Sequence, residues 1–115
     1  MRIIPLDRLF KREAFEKGVI RKVSDFLYEV NAGISLADSA NLALRGWITV
    51  IVTDKFITLA EVFFPPEYFE IKEGRAKVIK LYLVRSDKAC EVIDALSKQF
   101  NVRKGGTVEW WCSEL

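Results

Sequence analysis

The apolar positions of this chain follow two periods. From Leu6 to Val30 they stand at Leu9, Phe10, Phe15, Val19, Ile20, Val23, Phe26, Leu27 and Val30. Steps of three and four dominate, which predicts helix with one apolar face. Gly18 divides the pattern into two helices, and Asn31-Ala32-Gly33 supplies a C-terminal stop. Ahead of it, Arg2 to Leu6 reads as a short edge strand closed by Pro5, with Asp7 as the following N-cap. Ser35 or Asp38 opens a shorter helix through Leu44, with Leu36, Ala40 and Leu44 on one face and Gly46 at its end.

The period then changes to that of strands. Trp47 to Thr53 and Phe56 to Phe64 are β-branched and aromatic runs on either side of Asp54-Lys55, which predicts a hairpin. Pro65-Pro66 forces a loop, and Tyr68 to Arg75 reads as a charged connector containing Gly74. Ala76 to Val84 is the third long strand. Asp87 to Phe100 is a helix with Ala89, Val92, Ile93, Leu96 and Phe100 inward. Gly105-Gly106 breaks the chain before a last strand, Thr107 to Cys112, expected beside Ala76 to Val84. The order β-α-α-β-β-β-α-β predicts a single α/β (α+β) domain over residues 1–115, a mixed, mostly antiparallel sheet with helices on its faces.

Composition narrows the function classes. Half of the 115 residues are hydrophobic, enough for a core, and the net charge of +2 is scattered with no basic stripe. Nucleic acid is therefore not an expected partner. No apolar run approaches the ~18 residues of a membrane span, and the first residues are too short for a signal peptide. The chain has no histidine, which removes histidine-based triads, bases and metal sites. No metal is expected. Cys90 and Cys112 lie far apart and read as reduced thiols of a cytoplasmic protein.

The passage Lys77 to Phe100 carries the most chemistry. A helix that begins at the end of a buried strand points free N–H groups and the positive dipole end at that edge, where α/β proteins hold phosphates. Arg85, Ser86, Lys88 and Ala89 occupy this junction as candidate cofactor-binding residues. Arg85 and Lys88 offer charge, or simple solvated cations. Ser86 is an N-cap before anything else. Asp87 adds an unhelpful negative charge.

MRIIPLDRLF, ALRGWITVIVTDKFITLAEVFF and AKVIKLYLVRSDKACEVIDALSKQF together resemble the opening, the second and third strands, and the central strand with cofactor helix of the GNAT acyltransferases. Small GNAT-like proteins of bacteriophages are similar too, placing a basic-apolar strand, a short polar loop and a Leu-rich helix in this order. The resemblance implies acyl-CoA as cofactor and amine acylation as chemistry. The family holds pyrophosphate with an Arg/Gln-x-x-Gly-x-Gly/Ala turn. Arg85-Ser86-Asp87-Lys88-Ala89-Cys90 matches its first position but has Lys88 and Cys90 where glycines let the backbone approach. The family's last helix and hairpin have no counterpart before Leu115.

Acyl transfer to an amine needs a base and a proton donor to the leaving thiolate. Glu61 and Tyr82 are the candidates. Glu61 interrupts an apolar run and is either a partly buried base or a solvated edge charge. Tyr82 is either the acid or a core aromatic. Cys90, in a first helical turn, is a buried small residue before it is a nucleophile. Trp110 and Trp111 on one strand face opposite ways, so one indole needs a cover from a partner, a second copy, or the chain's own end. The preferred reading is a non-catalytic structural or interaction module, shortened GNAT-like and phage-type, acting in the host cytoplasm or virion without a cofactor. An acyl-CoA-dependent N-acyltransferase and an unrelated α+β binding module are the rivals.

Overall fold

A computed structural model describes residues 2–59, 68–71 and 74–113. Two short helices, α1 (Leu6–Leu9) and α2 (Arg12–Glu16), open the chain. A hairpin of β1 (Ile20–Ser24) and β2 (Leu27–Val30) follows, then α3 (Leu36–Leu44), β3 (Trp47–Thr53) and β4 (Phe56–Leu59). After β5 (Tyr68–Ile71) comes the long β6 (Gly74–Arg85), a 3-10 turn (Ser86–Lys88), α4 (Ala89–Phe100), β7 (Arg103–Lys104) and α5 (Gly106–Ser113). The sheet runs β1-β2-β6-β3-β4-β7, with β5 paired to the start of β6. Only the β4–β7 pairing is parallel among these strands. The α+β class read from the sequence is the class observed.

Strand β3 from Thr49 to Thr53 and the Leu81–Val84 stretch of β6 are buried on both faces, which explains why these stretches are nearly all apolar. On one face Ile51, Leu81 and Leu83 pack with Leu9, Ala14, Ile20, Val30 and Leu42 under α1, α2 and α3. On the other, Val50, Val52, Tyr82 and Val84 pack with Ala89, Ile93, Leu96 and Val108 of α4 and α5. Alternation along each strand sorts its residues between the two cores. Among the described residues no helix is long and apolar enough to cross a membrane.

The hairpin of β3 and β4 forms through Asp54-Lys55 as expected. Thr53 holds the turn: its hydroxyl donates to the Phe56 carbonyl at 2.9 Å and accepts the N–H groups of Phe56 (3.0 Å) and Lys55 (3.2 Å). Residues 60–64 of the expected strand, Glu61 among them, and Pro65-Pro66 lie outside the described residues.

Five expectations are corrected. The segment Leu6 to Val30 is not two long helices. Gly18, at φ +72°, ends the helical stretch, and Ile20 to Val30 form the β1–β2 hairpin. A turn at Asp25-Phe26, with the hydroxyl of Ser24 at the end of β1 accepting the Phe26 N–H at 3.2 Å, reverses the chain and lets β2 satisfy one edge of β6. Arg2 to Leu6 makes only a parallel bridge, Ile3 to Gly33, and Pro5 rather than Asp7 stands at the N-cap of α1. In α3, capped by Ser35, the buried residues are Ser39 and Leu42, while Leu36 and Leu44 face outward. The helix is turned so that Ser39 donates to the Thr49 hydroxyl at 2.9 Å. Tyr68 to Ile71 is a strand, not a connector, because β6 begins early enough to pair with it. Thr107 to Cys112 is helix, not a strand beside β6. The place beside β6 is taken by β2 and β3, and the outer edge of β4 is met by Arg103–Lys104.

Candidate functional site

The β6–α4 junction is present where the sequence places it, but its groups are engaged. The Arg85 N–H donates to the Phe26 carbonyl (3.0 Å) and the Ser86 N–H to the Gly46 carbonyl (2.8 Å). Thus the loops before β2 and β3 consume amides at the strand's end. The Arg85 guanidinium lies 3.0 Å from the Asp87 carboxylate. Arg85 and Lys88 both rest over the Phe26 ring, 5.6 and 5.8 Å from its centre. Ala89 is buried in the core of α4. Strands flank β6 on both sides through Val84, so no crevice opens between β6 and a neighbour there.

Tyr82 is only 4% exposed, with its ring edge-on to Phe100. Register places it beside Glu29, which lies opposite Arg21, on the face that also carries Lys80. Glu29 binds Arg21 at 2.7 Å and Lys80 at 2.9 Å. Those hydrogen bonds, from Arg21 first, hold its carboxyl below the usual value. Burial, followed by the nearby Glu29 charge, pushes the Tyr82 phenol up. Tyr82 is therefore a protonated core aromatic at neutral pH. The sequence reading missed this ion network because it placed Arg21 and Glu29 on a helix. The turn signal Ser24-Asp25 between two β-branched or aromatic runs would have found it.

Trp110 and Trp111 sit on α5. Adjacent residues on a helix are about 100° apart, so the two indoles still diverge, though by a different geometry than the expected strand. Trp111 and Cys112 pack on the α4-side core, while Trp110 is 65% exposed. Cys112 is joined to Cys90 in the first turn of α4, their Cα atoms 5.6 Å apart. The reading of two reduced thiols is thus corrected. The cysteines, 22 positions apart, meet because the end of α5 lands on the start of α4.

A second aromatic group lies at the other core. Tyr28 meets Phe10, Phe15 and Trp47 edge-on at centroid distances of 5.7, 6.3 and 5.2 Å. Phe10 and Phe15 are partly exposed. Between α3 and β3 an apolar pocket of about 280 Å³ is lined by Leu36, Ala40, Ala43, Ile48 and Leu59, with Ser39 and Thr49 bonded to each other at its wall. Among the described residues no three acidic or cysteine side chains gather as a metal site.

Compared with known proteins, the chain matches no family model, no curated protein and no solved structure.

Proposed function

We propose that this chain is a protein-interaction module without catalysis or cofactor, built on a GNAT-like scaffold of phage type and working in the host cytoplasm or virion. Trp110 carries the proposal. A 65% exposed indole stands on a helix whose next two residues, Trp111 and Cys112, are fastened to the core and to α4. A large aromatic held in position and left in water is the kind of group that anchors an interface, because its side-chain entropy is low and its burial contributes several kcal/mol. A second copy of the chain, or a partner protein, is the natural cover.

The family resemblance supports this less strongly than the indole does. It rests on the β3–β4 hairpin and on the succession of β6 and α4, whereas the strand after α4 pairs with β4. An unrelated α+β binding module would use Trp110 in the same way. The acyltransferase reading requires acyl-CoA at Arg85, Ser86, Lys88 and Ala89, where Asp87 neutralises Arg85.

Sedimentation of the wild type and of Trp110→Ser over a wide concentration range tests the proposal. Wild type should self-associate, and the variant should weaken that association by tenfold or more with an unchanged melting temperature. A monomeric wild type, unaffected by the substitution, removes the support for self-association. In parallel, a thermal shift with acetyl-CoA at 100 times its dissociation constant, worth about 2.7 kcal/mol, would favour the acyltransferase instead.

A further inference from the structure

Helix α5 is fastened at its two ends by different means. At its start, the Gly105 N–H donates to the Ile57 carbonyl of β4 at 2.8 Å, and the Gly105 carbonyl accepts the Glu109 N–H at 3.0 Å. The preceding β7 also pairs with β4. At its end, the fastening is the Cys90–Cys112 bond. Between these points Val108 is the one residue of α5 fully buried, with Trp111 and Cys112 half-buried on the same core. Eight residues are too few for a helix to persist in water on its own. The last turn is therefore seated from outside the helix, by the sulfur bond and by the half-buried Trp111 and Cys112.

The bond is also placed for exchange. Cys90 and Cys112 are half-buried, not sealed. Cys90 is in the first turn of the twelve-residue α4, where the helix dipole stabilises a thiolate. A stabilised thiolate is the better leaving group in thiol–disulfide exchange.

We propose that Cys90–Cys112 is a redox-operated latch. A dithiol reductant attacks the Cys112 sulfur, the Cys90–Cys112 bond breaks, and Cys90 leaves as a thiolate. The second thiol of the reductant then displaces Cys112 from the mixed disulfide. In balance, the dithiol becomes a disulfide and the protein gains two electrons and two protons as two thiols. The end of α5 lifts while its start stays on β4, and Trp111 leaves the core to join Trp110 in one apolar surface. This inference goes beyond the interaction reading, and it is tested on the isolated chain without a partner.

The experiment compares oxidised and dithiothreitol-reduced protein under native conditions. Reduction should create two maleimide-reactive thiols per chain, matching the two cysteines. Hydrogen exchange should then show amides of residues 108–113 losing protection by tenfold or more, while those of β3 and β6 keep theirs. In a Trp47→Phe, Trp110→Phe background, Trp111 emission should brighten, since a neighbouring disulfide quenches indole, and shift to the red. The Cys90→Ser, Cys112→Ser variant should show the lifted state without reductant. Reduced protein whose α5 amides stay protected would overturn the latch. So would global loss of protection on reduction, which would make the bond a staple of the whole fold, or two reactive thiols in unreduced, unfolded protein.

Discussion

Glu29 stands between Arg21 and Lys80 on the sheet face beside Tyr82. Its folded-state carboxyl titrates below its unfolded value, chiefly because it accepts hydrogen bonds from Arg21 and then Lys80. The unfolded chain therefore binds the proton first as pH falls. The stabilisation is complete above the ordinary glutamate value of about 4.3 and is lost as pH drops through the lowered folded value. Glu29→Gln should flatten the acid limb of stability against pH, measured by urea unfolding at stepped pH. Some slope should remain, because Lys104 and Lys98 lower Asp94 in the same way. An unchanged acid limb would mean the network contributes nothing net. Of the residues singled out from sequence, Tyr82 was legible as a core aromatic. Arg85 was not legible as neutralised, since that depends on how Asp87 turns back to meet it.

Helix α5 shows why element identity was harder to read than element position. Thr107 to Cys112 has strand-like composition, and Gly105-Gly106 marks a break correctly. The pair does different work at each position. A Cβ on Gly105 would sit 3.1 Å from the Ile57 carbonyl oxygen and 3.5 Å from the Thr58 Cβ, both in the paired strand β4. On Gly106 it would meet nothing within 4 Å. Gly105→Ala should therefore cost about 1–3 kcal/mol, as overpacking does. Gly106→Ala, at the start of a helix, should be neutral or stabilise by up to ~1 kcal/mol. Chemical denaturation midpoints of the two variants check the contrast, and equal effects would refute the close approach. The same lesson applies to Ile20 to Val30. Its three- and four-residue spacings fit a helix, yet the segment is a hairpin, because β6 has an edge whose backbone groups need partners.

At the scale of the molecule, two cores share one sheet, and the Cys90–Cys112 bond ties the last helix to α4 across 22 positions. A loop of that length closed in the unfolded chain is worth about 3 kcal/mol in the chain-entropy model. That is a fraction of the 5–15 kcal/mol typical of a domain. Reduction should then lower the melting temperature by roughly 10 °C or more while leaving a cooperative transition. A melting curve unmoved by reductant would show that the bond does not constrain the unfolded chain.

Parts of the fold whose signals are short-range can be read directly from the residues. The hairpin of Trp47–Thr53 and Phe56–Leu59, the apolar centre of β6, the helix Ala89–Phe100 with Ile93 and Leu96 inward, and the Ser35 cap all follow from alternation, helical spacing or one side-chain bond to a nearby amide. Long-range contacts settled the rest. Ile20 to Val30 became strands because β6 offered an edge, and Thr107 to Cys112 became a helix that buries Val108 on the second core, the places beside β6 being held by β2 and β3. Cys90 met Cys112, and Trp110 was left in water, because of where α5 lands. In the two segments whose pattern fits either period, burial and backbone pairing with residues distant in sequence chose the conformation.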